Sequence, residues 1–417
     1  MSDPNGLPQI LEAATLRALR HLTLDRRLTE ELPEELRGLA PKQQEDRLSP
    51  LASQIAYDLI AEALANGLLG KPTIERIEHS YPTAGSTAEV VSFPEASITF
   101  AYKLSVEPKL AAEAKMLRSI REREELPIGF RESFPRVYAV RTDEPPYAYL
   151  MERFPFPSLE KLLFRTTVSP KDLETILAEI VGALLSAYSA TKDTMVTPNL
   201  EDIYLGRITE RLADASELDT LFEDLSTAKL TINGKEYRPL VEYLAEVSQR
   251  LPNMGCQFST FAHGDPHPEN ILIDFEPGLE DVEVKFIDVK AWWKSDYIFD
   301  IGKLCHYMLV TGAVEKREAP ISVDIGKNDP GWTVSYELQP GEVVRDLHKQ
   351  VVERVAAFAA AQEDSNWLQR YHLSMAANLL GLPPGRLRKD MRNAAVVYYC
   401  EGVRYLEKSI APQSPGS

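Results

Sequence analysis

The stretch FAHGDPHPENILID, residues 261–274, places His263, Asp265, His267 and Asn270 close together in the chain. Asp288 follows at the end of the apolar run VKFID. The spacing H-x-D-x-x-x-x-N suits a short loop between strands that bears one carboxylate and one amide. A second carboxylate then ends the neighbouring strand. Phosphoryl transfer needs this set. A carboxylate must accept or orient the proton of an attacking hydroxyl, and hard oxygen ligands must hold Mg²⁺ on the phosphates. Asp265 suits the first role, and Asn270 and Asp288 suit the second. One or two protein ligands suffice, because Mg²⁺ keeps waters and substrate phosphates in its shell.

The elements that must position these residues are legible in outline. The first 70 residues read as helical, from ILEAATLRALRHL to SPLASQIAYDLIAEALANGLLG, which opens at Ser-Pro and closes at Gly. They carry no chemistry, and residues 1–72 are expected to form a packing extension or to mediate a homodimer. Residues 73–151 change character. Five short runs rich in β-branched and aromatic residues (IERIEHSY, AEVVSFP, ITFAYKLS, RVYAVRT, YAYLME) surround one helix, EPKLAAEAKMLRSIRERE. Residues 152–417 are mostly helical, with one strand group around 261–289. A sheet-rich half before a helical half predicts an α+β protein with two lobes.

Composition narrows the class. The chain has 417 residues, 44% hydrophobic and 26% charged, which is a globular composition. Its formal charge of −17 works against general nucleic-acid or anionic-membrane binding. That charge fits a cationic substrate and ordinary solubility equally well. Cys256, Cys305 and Cys400 are too far apart for a C-x-x-C motif and read as reduced thiols of a cytoplasmic protein. The opening MSDPNGLPQ lacks the pattern of a signal peptide, and no run of ~18 apolar residues predicts a membrane span.

HGDPHPEN followed by IDV resembles the catalytic loop of the aminoglycoside phosphotransferase/choline kinase family, whose fold is protein-kinase-like. Gly264 stands where protein kinases carry Arg, His267 gives the H-x-D-x-H-x-x-N form of small-molecule kinases, and Lys290 replaces the Gly of D-F-G. The resemblance implies a bilobal fold with a small antiparallel β N-lobe, a large helical C-lobe, and use of ATP and Mg²⁺. It further implies that Gly85, Ser86 and Thr87 in TAGSTAEV cover phosphates. Lys103 in FAYKL would hold the α- and β-phosphates, clamped by Glu113, with Glu107 and Glu122 as competitors for that pairing. YLMERFPF resembles the family's hinge. Met151 would back the adenine, and the backbone of Glu152 and Phe154 would bond its edge, with the Glu152 side chain facing solvent.

Other residues have structural readings beside functional ones. His263 is expected to brace the loop. His267 is a candidate substrate contact or a packing residue. Asp300, in FDIGK, resembles a position that caps N–H groups or braces the catalytic loop. Trp292 and Trp293 could wall a substrate or fill the core. Segment 311–342 reads as an inserted hairpin around KNDPGW that shapes the acceptor site or decorates the surface. The acceptor is a small-molecule hydroxyl, on an antibiotic such as an aminoglycoside, a sugar, a nucleoside, choline or another metabolite. A protein kinase, a non-catalytic nucleotide-binding scaffold and a nucleotidyl transferase are the competing readings.

Overall fold

The computed structural model describes residues 73–76, 86–93, 98–143, 145, 147–278, 281–290, 292–329 and 331–411. The helical extension expected over 1–72 lies outside the described residues. The chain divides into two compact units, Met1–Phe156 and Pro157–Ser417.

The described part of the first unit is a five-stranded antiparallel sheet in the order β1-β2-β3-β5-β4, with helices between β3 and β4. The strands are β1 (Thr73–Arg76), β2 (Ser86–Phe93), β3 (Ile98–Ser105), β4 (Val137–Arg141) and β5 (Tyr147–Glu152). β3 is central, with Lys103 opposite Ala88 of β2 and Tyr149 of β5. Helix α1 (Lys109–Glu122) buries Leu110, Ala111, Ala114, Leu117 and Ile120, a stripe at three- and four-residue spacing. The same spacing leaves Glu113 beside that stripe rather than within it. A short helix, α2 (Ile128–Glu132), follows it and was not expected.

The second unit is mostly helical. α3 (Leu159–Phe164) and α4 (Pro170–Ala190) begin at Ser158 and Ser169, whose hydroxyls accept the backbone N–H of Lys161 and Asp172. Alone among the described helices, α4 is long and apolar enough to cross a membrane by length and composition. Its buried residues, from Leu173 to Tyr188, fall at three- and four-residue intervals along one face. A π-helical turn (Glu201–Gly206) leads into α5 (Arg207–Leu218), α6 (Leu221–Thr227), β6 (Lys229–Ile232), β7 (Lys235–Tyr237) and α7 (Leu240–Met254). Next come β8 (Thr260–Ala262), the ribbon of β9 (Ile271–Phe275) and β10 (Val282–Phe286), and β11 (Trp292–Ser295), which pairs with β8. α8 (Ile298–His306) runs through a π-helical turn into α9 (Gly312–Glu315). The hairpin of β12 (Val323–Asn328) and β13 (Gly331–Tyr336) precedes α10 (Glu342–Ala361), α11 (Trp367–Leu380), α12 (Pro383–Leu387) and α13 (Arg392–Ile410).

The 311–342 segment differs from a surface decoration. β13 pairs in parallel with β6, giving a four-stranded sheet in the order β12-β13-β6-β7. Val334, Leu230 and Ile232 of that sheet are buried in the main core. β6 and β7 add a strand pair to the two groups expected in this half, the strands around 261–289 and the 311–342 hairpin. Cys256, Cys305 and Cys400 are all free and buried.

Candidate active site

In the sheet unit, Lys103 Nζ lies 2.8 Å from Glu113 Oε1. The same oxygen accepts the Tyr149 hydroxyl at 2.6 Å. The competing Glu107 pairs with Lys109 instead. The strand register explains the arrangement, since Tyr149 is the direct neighbour of Lys103 across the β3–β5 pair. Met151 and Phe154 are buried. Glu152 is buried too, against expectation: its Oε2 accepts the Arg136 N–H at 3.2 Å and faces Arg121 at 3.7 Å. A carboxylate at that depth needs these donors to offset its desolvation. Ser86 and Thr87 open β2 opposite Ser105 and Leu104, while Gly85 lies outside the described residues.

In the helical unit, the 263–270 loop is held from below by Asp300. Its two oxygens accept the N–H of His263 at 2.7 Å and of Gly264 at 2.8 Å, and the Tyr188 hydroxyl donates at 3.0 Å. Burial pushes Asp300 up to about 7, against these three donors, which favour the ionised form. Gly264 takes φ +85°, a backbone conformation that glycine supplies without steric cost. His263 is fully buried, and its Nδ1 accepts the Asp265 N–H at 3.2 Å. Burial lowers its pKa to about 3, so the ring is neutral and acts as a brace.

The loop then closes on itself. The His267 N–H donates to the Asp265 carbonyl at 2.8 Å, and the Asn270 side-chain amide donates to the same carbonyl at 3.0 Å. That leaves the Asn270 Oδ1 as the oxygen with acceptor capacity. The N–H of Ile287 donates to the Asn270 carbonyl at 3.0 Å, which sets Asp288 one residue from this junction. Asp288 has φ +57°, uncommon for a residue with a side chain and found where backbone strain serves a site. Among the described residues, no cluster of three or more His, Cys, Asp or Glu could hold a metal ion. The side chains of Asn270 and Asp288 offer hard oxygens, the ligand type that fits Mg²⁺ and not a thiolate- or imidazole-preferring metal.

Asp265 is clamped by two lysines that the sequence reading left without a role. Lys303 Nζ lies 2.9 Å from Oδ1, and Lys290 Nζ lies 2.5 Å from Oδ2. Burial pushes the Asp265 carboxyl up. The Lys303 and then the Lys290 charge outweigh it and hold the group well below the usual carboxylate range. Burial draws the Lys303 ammonium down, and Asp265 opposes that shift. Lys290 reaches the site because its own N–H bonds the His263 carbonyl at 2.8 Å. Lys303 reaches it from α8, which packs very close to α11. A Cβ at Gly302 would sit 2.0 Å from the Ser374 hydroxyl oxygen. The start of α8 is anchored by Arg370, fully buried, whose Nε meets Asp296 at 2.8 Å and whose Nη1 meets Asp364 at 2.9 Å.

His267 stacks on Tyr307, ring centroids 5.5 Å apart and planes 6° from parallel. Tyr307 and Lys316 both donate to Glu269 Oε1, at 2.7 and 3.0 Å. Lys316 also meets Glu160 at 3.0 Å. Trp292 pairs with Ala262 through β11, and the side chains of Trp292 and Trp293 lie outside the described residues.

Comparison with known proteins places this loop in a family. The model of the phosphotransferase enzyme family (APH) matches residues 99–320, more than half of the chain. No curated protein matches the sequence. Among solved structures, a Plasmodium vivax ethanolamine kinase is similar at TM-score 0.47 and 10% identity, covering 91% of this chain and 96% of that chain. A thermostable mutant of aminoglycoside phosphotransferase APH(4)-Ia, in a ternary complex with AMP-PNP and hygromycin B, is similar at TM-score 0.45 and 11% identity, covering 84% and 100%. At these scores no acceptor is carried over to this chain. The two described units have the small antiparallel sheet and the helical C-terminal region of an α+β protein-kinase-like fold. The chain belongs to the phosphotransferase enzyme family, as an enzyme of the kinase type.

Proposed function

We propose that the protein is an ATP- and Mg²⁺-dependent phosphotransferase that moves the γ-phosphate to a hydroxyl of a small molecule. The observation that carries this reading is the 263–290 loop, in which Asp265, Asn270 and the Ile287–Asp288 turn are joined by backbone and amide hydrogen bonds. Asp265 orients the acceptor hydroxyl and takes its proton late, because two ammonium groups make its carboxylate a weak base. Lys290 and Lys303 supply positive charge where negative charge accumulates on the transferring group. Asn270 and Asp288 would hold Mg²⁺, which when bound neutralises charge on the phosphates. Lys103, oriented by Glu113, holds the nucleotide's phosphates, and the backbone at Glu152 and Phe154 bonds its base beside Met151. Catalysis then comes from positioning and charge, since phosphoryl transfer leaves little covalent work to the protein.

The test is ADP release from Mg²⁺-ATP across a panel of aminoglycosides, hexoses, nucleosides, choline and amino alcohols. An acceptor-dependent signal is expected. In Asp265→Asn it should fall by a factor on the order of 10² or more while ATP binding stays nearly intact. Near-normal turnover in that variant would remove Asp265 from its role. ATP binding without turnover across the panel would favour a non-catalytic scaffold.

A further inference from the structure

Positive charge around Asp265 exceeds what that carboxylate needs. Lys303 and Lys290 already pair with it. A third cation, Arg207, opens α5 with its guanidinium carbon 5.8 Å from the centre of the Phe299 ring. Phe299 and Lys303 lie four residues apart on α8 and so share one face, a single turn apart. Arg207 is thus a near neighbour of the lysine that reaches Asp265.

Among the described residues, the Arg207 side chain makes no hydrogen bond and no ion pair, and its Nε is buried without a partner. Gly381 leaves room for it, since a Cβ there would come within 3.3 Å of that Nε. Burial lowers the pKa of the guanidinium, and Asp265 is the charged group that most opposes this shift. A half-buried guanidinium left unpaired is costly unless something binds it.

The carboxylates beside the loop are in the opposite condition. Glu269 takes Tyr307 and Lys316, Glu160 takes Lys316 and Arg165, and Glu315 takes Arg386 and Tyr398. An ammonium-bearing acceptor would have to displace one of these cations to be paired. An anionic acceptor would find a guanidinium already waiting, with the planar fork that matches a carboxylate or phosphate.

We propose that the acceptor carries an anionic group, a carboxylate or a phosphate, beside the hydroxyl that is phosphorylated, and that Arg207 binds that group. This rests on the phosphotransferase reading above and adds the charge class of its substrate.

The test uses acceptors that share a scaffold and differ in charge. One series is glycerate, glycerol 3-phosphate, glycerol and 3-amino-1,2-propanediol. The other is glucuronate, glucose 6-phosphate, glucose and glucosamine. Phosphate transfer from Mg²⁺-ATP and the shift in melting temperature are read for each, with wild type, Arg207→Gln and Arg207→Lys. The anionic members should lead the neutral ones by ~10- to 100-fold in kcat/KM, with the ammonium members lowest. Arg207→Gln should abolish that order by raising the acceptor KM rather than the ATP KM, and Arg207→Lys should fall between. A preference for ammonium or neutral members overturns the proposal. So does a loss in Arg207→Gln that is equal across the series or appears in the ATP KM, which would assign Arg207 to the nucleotide. So does the absence of any response to the anionic members in both readouts. Failure of the phosphotransferase reading itself would show separately, as ATP binding with no phosphate transfer to any member of either series, neutral and ammonium members included.

Discussion

Lys103 in the sheet unit and Asp265 in the helical unit are each held by opposite charge, but in different proportions. Lys103 faces one carboxylate, Glu113, so the pair is neutral, and a tyrosine hydroxyl shares the carboxylate. Asp265 faces two ammonium groups, so that cluster carries a surplus positive charge. The two lysines differ in exposure: the Lys303 side chain is 7% exposed and the Lys290 side chain 47%. Lys303 is therefore the fixed partner. On the proposed reading, Lys290 would be the one to turn to an anionic phosphate, with Lys303 still paired to Asp265. A neutral pair orients a group, whereas a cluster with surplus charge can give one cation to a ligand and stay paired.

The largest expected effect sits in the cluster. Asp265→Asn should lower turnover by a factor on the order of 10², about 2.7 kcal/mol. If Lys103→Met were the more damaging of the two for kcat, with acceptor saturating, the chemistry would depend more on the sheet pair than on the loop. Next comes the contrast between the lysines. Lys303→Met should cost about 2 kcal/mol in urea unfolding, below the 3–5 of a fully broken buried pair because Lys290 remains. Lys290→Met should cost under about 1 kcal/mol, as for half-exposed pairs. Both should raise the acidic limb of the pH–rate profile, Lys303→Met more, because removing a cation lets the carboxyl rise. Equal stability losses would mean that exposure does not separate their roles.

Acid should distinguish the units further. The five histidines among the described residues (His263, His267, His306, His348 and His372) all lie in the helical unit. Burial lowers the pKa of every one, to about 3 for His263 and about 4 for His348 and His372. Below their ordinary value of 6.5 the unfolded chain takes up protons that the folded unit refuses. Stability is therefore fully present above about pH 6.5 and is lost as pH falls toward 4, at up to about 1.4 kcal/mol per pH unit for each group. The four tryptophans (Trp292, Trp293, Trp332 and Trp367) report on this unit alone. Their fluorescence midpoint in urea should fall between pH 6.5 and 4, and less steeply in the double variant His348→Gln, His372→Gln. A midpoint flat across that range would contradict the burial of these rings.

The backbone of both sites was largely legible from residue pattern. The runs at 98–105 and 147–152 coincide with β3 and β5 because β-branched and aromatic residues alternate there. The hairpin at 323–336 was legible through its turn. The β6–β7 hairpin carries an equally good turn signal, Asn233-Gly234, both at positive φ in the structure, but it stands in a stretch whose pattern otherwise reads as helical. The charge pairings were legible only in part. Glu113 was legible as the partner of Lys103 through the family resemblance, whereas the pairing of its competitor Glu107 with Lys109 was not. Lys290 stood out as a substitution two residues after Asp288. Its reach to Asp265 depends on a backbone bond to His263 that no spacing encodes. Arg370 with Asp296 and Asp364, and Arg207 beside Phe299, join parts of the chain far apart in sequence, and single-sequence periodicity says nothing about such pairs.

The smallest expected effect tests the neutral half of the comparison. Tyr149→Phe removes one hydroxyl donor from Glu113 and leaves the Lys103–Glu113 pair in place. The ring also stays, with Lys103 Nζ 5.9 Å from its centroid, so the weak cation–π attraction survives. Glu113 is 20% exposed, so water can replace the lost donor. The cost is therefore expected below the roughly 1.5–3 kcal/mol of a hydrogen bond to a charged group, at about 1 kcal/mol, read as a roughly five-fold rise in the KM for ATP. Glu113→Gln removes the charge that orients Lys103 and should cost several times more in the same assay. If the two variants prove equal, the tyrosine hydroxyl rather than the carboxylate charge sets the position of Lys103, and the sheet site is a three-part network in which no single pair dominates.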